Sequence, residues 1–363
     1  MDAPLETGPR GPGPLTRRTT LAGALGLALA ACGGEDAPDT RAVSPDTRAA
    51  SPDTRAVSPT TAPTTRAPAP TLPAAPDRVS LPTLMRERFP GGRVTRVRRQ
   101  AVTDAYERWE VTYPAGEVTV SGILLRPTGR GPFPAVVLAH GYIDPAVYVT
   151  GQGLAREQDH LARAGFVVLH TDYRGHAASD PVGEVERESR LGYTRDVLHA
   201  VGTLKRLPYV DPDRVALLGR SMGGGVALNA LVTQPGAVRA AVLFASVSSL
   251  FVDNLQRFTV PGRPEAARRF EDRFGTPRSA PEVYAGLSSR TYFDRVTEPV
   301  LIHHGTSDDT CPIAWSRATQ GLLRRAGADS RLQVYRGEEH AFIPQWPLSM
   351  DRTVAFLRRR MPA

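Results

Sequence analysis

The sequence predicts an α/β protein built on a mostly parallel, doubly wound sheet of about eight strands with a cap-like insertion. Two observations carry that expectation. Short, continuous apolar runs (Ala135–Ala139, Val167–Thr171, Val215–Gly219, Ala240–Ala245 and Val300–His304) have the length and composition of strands buried on both faces. Amphipathic stretches such as Gly153–Ala164 and Thr194–Leu207 alternate with them in the rhythm of βα units. Repeated units of this kind gather ligands at the carboxyl ends of the strands.

The 363-residue chain does not follow this pattern throughout. Residues 1–31 read as a signal peptide, because Arg17-Arg18 precede an apolar run from Leu21 to Ala31 that is too short to span a bilayer. Leu29-Ala30-Ala31-Cys32 resembles the lipobox of bacterial lipoproteins, in which the cysteine thiol accepts a diacylglyceryl group. The segment Thr16–Leu21 also resembles a twin-arginine signal, without its usual Phe, and would imply export in the folded state. A buried apolar helix is the plainer alternative, but nothing downstream could pack on it. The expectation is an exported protein held at a membrane through lipidated Cys32.

Residues 32–80 follow as a Pro/Thr/Ala-rich segment without aromatics. Ser44-Pro45-Asp46-Thr47-Arg48-Ala49 nearly repeats seven residues later as Ser51-Pro52-Asp53-Thr54-Arg55-Ala56. No apolar seam accompanies the period, so it is not a coiled coil. Such a composition cannot bury enough surface to offset its conformational entropy, and a disordered tether is expected, spanning roughly 3 Å per residue when extended.

The catalytic body is expected over 81–363. Glu107–Tyr113 and Val118–Leu125 suggest a hairpin turning at Pro114-Ala115-Gly116, while Leu332–Tyr335 and the helical Ser349–Arg359 close the chain. An insert at about 246–298 mixes aromatics (Phe251, Phe258, Phe270, Phe274, Tyr284, Tyr292, Phe293) with arginines (Arg257, Arg263, Arg268, Arg269, Arg273), and Pro264–Phe274 within it looks helical. It is expected to cap the site, the alternative being a peripheral excursion packed on the sheet.

Gly219-Arg220-Ser221-Met222-Gly223 lies between the strand Val215–Leu218 and the helical Gly224–Leu231. A G-x-S-x-G in that context is a strand–turn–helix elbow that lifts the Ser221 hydroxyl above the sheet at a helix N-terminus. Serine needs a base, and the base an orienting carboxylate. With this elbow the chain order is Ser, acid, His. Asp308 or Asp309 follows the strand Val300–His304, and His340 follows Leu332–Tyr335. The oxyanion requires two N–H donors, expected from the backbone of Met222 and of Tyr142 in the loop His140-Gly141-Tyr142. His140 is expected to brace that loop, His303 and His304 to be scaffold, and His170, His176 and His199 to have surface or loop roles. Cys311, Trp315 and Trp346 are read as packing.

From about Val94 onward the chain resembles the α/β-hydrolase superfamily, and within it the prolyl oligopeptidase and dienelactone hydrolase branch. The matching stretches are Val136–Gly141, Asp172-Tyr173-Arg174-Gly175, Tyr209–Arg214, Gly219–Gly224, His304-Gly305 with Asp308-Asp309, and Glu339-His340. The resemblance implies that Asp308 contacts the histidine, that Asp309 caps or packs locally, and that Asp172-Tyr173-Arg174-Gly175 is structural. It departs from the peptidases in having no propeller before the body, and in carrying Met222 where they often have an aromatic. An esterase is therefore expected, acting on small esters, with a short-peptide peptidase as the alternative and a non-catalytic binding protein as a more distant one.

The net charge of +8 is almost all arginine, with Lys205 the only lysine, and the basic residues are interleaved with acids rather than clustered. No nucleic-acid partner is expected. No H-E-x-x-H-type spacing appears, so neither a metal nor another cofactor is expected. The two cysteines, Cys32 and Cys311, do not suggest a disulfide.

Overall fold

The computed structural model describes residues 71–362. The expected signal peptide, Cys32 and the first part of the expected tether lie outside the described residues. Nine strands form one sheet: β1 (Thr95–Val102), β2 (Tyr106–Ala115), β3 (Val118–Pro127), β4 (Phe133–Ala139), β5 (Val167–Thr171), β6 (Val210–Arg220), β7 (Ala240–Phe244), β8 (Val300–Gly305) and β9 (Ser330–Tyr335). Their order is β1-β2-β3-β5-β4-β6-β7-β8-β9. The first three strands and the β3–β5 pair are antiparallel, and the rest are parallel. This is the α/β-hydrolase fold, with one strand more than the eight expected. The extra one is β1, an arginine-rich edge strand that is exposed almost throughout and so shows no apolar run.

The central strands are apolar because both faces are covered. Val136–Ala139 and Val215–Leu218 are at most 1% exposed. Each large apolar side chain among them contributes about 1.5–3 kcal/mol by leaving water. The helices Leu191–Lys205 and Met222–Thr233 cover one face and Ala155–Arg163 and Trp346–Arg360 the other, with separate apolar clusters on the two sides.

Several expectations need correcting. The body begins before residue 81: Leu72 and Val79 pack on the core, Pro73 accepts a hydrogen bond from Arg86 at 2.7 Å, and buried Ser80 caps the helix Leu81–Leu84. The hairpin pairs Ala115 with Val118, so its turn is Gly116-Glu117, with Gly116 at φ 74°. His170 and His199 are buried within a strand and a helix rather than having surface or loop roles, and His176, though on a loop as expected, is buried too. His170 lies within β5, where no face is open to water.

The topology positions the site. The chain passes from β4 to β5 on one side and to β6 on the other, leaving a crevice at their carboxyl ends. Ala139 pairs with Gly219 across β4 and β6, which brings the loop after β4 beside the turn after β6. β8 and β9 are also neighbours, so the loops carrying Asp308 and His340 emerge side by side.

Candidate active site

Ser221 stands at φ 54°, ψ −119°, between β6 and the helix Met222–Thr233. That strain costs of order 1–3 kcal/mol and must be held by the surroundings. Its N–H donates to the Phe244 carbonyl at 2.9 Å, and its carbonyl accepts from Gly224 and Val247 at 3.0 and 3.2 Å. A Cβ on Gly219 would collide with the Gly223 carbonyl, and one on Gly223 with the Ala139 carbonyl. Gly223→Ala is therefore expected to lower stability by about 3 kcal/mol or more, because the obstructing atoms are backbone. Urea unfolding measures this, and a loss below about 1 kcal/mol would refute the crowding argument.

The carboxylate and the imidazole meet. His340 Nδ1 lies 2.9 and 3.1 Å from the two oxygens of Asp308. Asp308 also accepts from the Thr310 and Cys311 N–H groups at 3.0 and 2.8 Å. Burial pushes this carboxyl up, but hydrogen bonds from His304, His340 and the Cys311 N–H outweigh it and hold it well below the usual carboxylate range. Asp309 is exposed, and among the described residues its carboxylate accepts only from the Thr310 hydroxyl, at 3.3 Å. Among the described residues no hydrogen bond joins Ser221 Oγ to His340. In substrate-free hydrolases this bond is often long or misaligned and tightens in the complex. The buried Cys311 thiol lies beside the Ser221 hydroxyl, and burial pushes it up to about 12, so it stays neutral.

Several residues that hold these groups were not foreseen. His304, read as scaffold, places Nε2 3.2 Å from Asp308 Oδ2 and 2.8 Å from the Cys311 carbonyl. Facing two acceptors, Nε2 carries the proton, and Nδ1 meets the Ser316 hydroxyl at 2.6 Å. Glu338 is buried and accepts from the N–H groups of Ile343 and Gln345 at 2.8 and 2.6 Å, which folds the histidine loop. Arg220 donates to the Ala341 carbonyl at 2.9 Å, and Arg156 to those of Ala341 and Phe342 at 3.0 and 3.1 Å. The elbow's own arginine thus ties the Ser221 turn to the loop that carries His340.

Ser221, Met222 and Tyr142 line one cavity of about 490 Å³. Met222 is the first helical residue, so its N–H has no partner within the helix. Gly141 brings the second loop close, since a Cβ there would lie 3.2 Å from Ser221 Cβ. His140 is fully buried, with its ring centroid 4.8 Å from that of Tyr148 and 4.4 Å from that of Tyr173. Burial first, then neighbouring His170 and His176, push it down to about 3, so it braces the loop as a neutral ring. Asp172 ties the same region together, accepting from Tyr148, Gly151 and Ser121 at 2.8, 2.8 and 2.7 Å. Arg174 pairs with buried Asp196 at 2.8 Å.

The insert divides into two parts. Val247, Phe258, Thr259, Gly262 and Arg263 wall the cavity, with Phe258 and Thr259 on a π-helical turn, Leu255–Thr259. The other six aromatics that suggested a cap are in the core. Trp315 packs edge-on against Phe258 at 6.1 Å, and Trp346 donates to Glu157 at 2.9 Å. Arg187, Glu188, Arg190 and Tyr193 also line the cavity. Glu188 accepts from Arg263 at 2.9 and 3.1 Å and from Arg187 at 3.1 Å.

A family model described as the prolyl oligopeptidase family matches residues 153–361. The uncharacterized peptidase YtmA of Bacillus subtilis is 26% identical over 242 residues, covering 65% of this chain and 87% of that protein. The acetyl xylan esterase of Paenibacillus sp. R4 superposes with a TM-score of 0.59 at 18% identity, over 76% of this chain and 92% of the esterase. The acylaminoacyl peptidase of Pyrococcus horikoshii gives a TM-score of 0.58 at 19% identity, over 71% of this chain but 42% of the peptidase. The likeness to the two solved structures is one of fold.

Proposed function

The chain belongs to the prolyl oligopeptidase family and is a serine hydrolase acting on ester or peptide bonds, and within that family we propose that it is a carboxylesterase working through Ser221, His340 and Asp308. The observation that carries the reading is the contact between His340 Nδ1 and Asp308 at 2.9 Å, on loops adjoining the strained Ser221 elbow. His340 Nε2 takes the Ser221 proton as Oγ attacks the ester carbonyl. The N–H groups of Met222 and Tyr142 receive the oxyanion, and the same proton passes to the departing alcohol. Water then hydrolyses the acyl-enzyme by the reverse proton path, releasing the acid. Asp308 keeps the Nδ1 proton in place and stabilises the imidazolium.

The preference for esters rests on the walls of the cavity. A peptidase that grips an amino terminus through a pair of carboxylates would need both free, but Glu188 is engaged by two arginines, which leaves the exposed Asp144 as the unpaired carboxylate on the lining among the described residues. Peptide hydrolysis is the second reading, favoured by the family itself. A p-nitrophenyl acyl ester assayed beside an aminoacyl p-nitroanilide decides between them. The ester's kcat/KM is expected to lead by more than the ratio of the two uncatalysed rates, and a lead by the anilide on that scale overturns the esterase assignment.

We further propose export and lipid anchoring at Cys32, supported by the lipobox-like Leu29–Cys32 after Arg17-Arg18. Cys32→Ala is expected to abolish incorporation of labelled palmitate in cells, and unchanged labelling would refute the anchor.

A further inference from the structure

Three arginines line the cavity, and two of them are paired. Arg187 and Arg263 both donate to Glu188. Arg190, partly buried in the same lining, has no hydrogen bond or ion pair from its guanidinium among the described residues. Its Nη1 rests where a Cβ on Gly225 would be 3.6 Å away, on the first turns of the helix after Ser221. Burial pushes Arg190 down to about 10, and the nearest groups do not neutralise it: Cys311 is uncharged, Glu188 is already shared, Arg263 is a like charge, and the Tyr193 phenol is pushed above its ordinary range, chiefly by burial.

The backbone makes the arrangement more pointed. Arg190 stands at φ 61°, ψ 11°, at the junction of the helices Glu184–Ser189 and Leu191–Lys205. Glycine or asparagine would take that left-handed conformation at lower cost. What an arginine adds at the junction is a planar fork of donors within the lining of the cavity that holds Ser221, with Nη1 resting toward Gly225. That fork matches a carboxylate in geometry and charge.

Resting on the ester-hydrolase reading above, we propose that Arg190 determines specificity by anchoring a carboxylate on the acyl part of the substrate, so that preferred substrates are half-esters of short dicarboxylic acids. The anchor holds the acid end in both ground and transition states. Its loss therefore falls mainly on KM.

The test compares mono-p-nitrophenyl half-esters of four- to eight-carbon diacids with p-nitrophenyl esters of the matching fatty acids. Wild type is expected to favour a half-ester in kcat/KM by about tenfold or more, the size of one charge-assisted contact. Arg190→Gln is expected to remove that preference through a rise of about tenfold in the half-ester KM, with Arg190→Lys between the two. Free adipate should slow fluorophosphonate labelling of Ser221 in wild type and not in Arg190→Gln. Wild type favouring the neutral esters, or a half-ester preference unchanged in Arg190→Gln, overturns the anchor and leaves the esterase reading standing. Absence of labelling at Ser221 would sink both. Should Arg190→Gln not fold, adipate protection of the wild type alone supports the anchor, and its absence overturns it.

Discussion

Ser221→Ala is expected to lower kcat for a p-nitrophenyl acyl ester by about a million-fold, to the residual rate that oxyanion binding alone sustains. Without Oγ no acyl-enzyme forms, so a fluorophosphonate probe should label wild type and leave the variant unmarked. The loss is separable from unfolding. The variant would keep the same backbone hydrogen bonds to Phe244, Gly224 and Val247, which use no side-chain atom. The thermal midpoint should therefore move by only a few degrees. Labelling that persists in the variant would assign the nucleophile to another residue.

Asp308→Asn is expected to cost about 10⁴-fold in kcat. The amide can turn an N–H toward His340 Nδ1, which forces the ring proton onto Nε2, the atom that must accept from Ser221. Asp309→Asn is the control and should stay within about threefold of wild type, its carboxylate being exposed and, among the described residues, bonded only to Thr310. The acid end of the stability curve gives an independent check. The carboxyl of Asp308 titrates lower in the folded protein than in the unfolded chain. Its contribution to stability is thus full above about pH 4, the unfolded value, and is lost as pH falls through the depressed folded value. Thermal midpoints measured from pH 7 down to pH 3 should fall more steeply for wild type than for Asp308→Asn. Parallel curves would mean that Asp308 is not the stabilised carboxylate.

The parts of the fold that the sequence revealed are those whose burial is complete. β5 and β7 are buried from end to end because water reaches neither face, polar only at His170 and Thr171 of β5, and their limits could be read to within a residue. β1 offered no such signal, because an edge strand can be polar at every position. Leu72 and Val79 sit in a stretch whose Pro and Ala content is that of the residues before it, so their burial against the core could not be read from composition. In the site, the order of Ser221, Asp308 and His340 was legible because the elbow fixes the sequence in which partners must follow. His304, Glu338 and Arg156 were not, since their roles depend on which loops the sheet brings together. The aromatics of the insert were misread for the same reason: composition cannot tell a wall from a core.

The two parts of the insert answer to different demands. Val247, Phe258, Thr259, Gly262 and Arg263 face the cavity, whereas Phe251, Leu255, Phe270, Phe274, Tyr284, Leu287 and Phe293 are locked into the main core. Selection for a new substrate and selection for folding therefore bear on different residues of one insert. Phe258 can drift to suit another acid while the residues after it keep the sheet covered, so the family can diversify in diet without renegotiating its architecture.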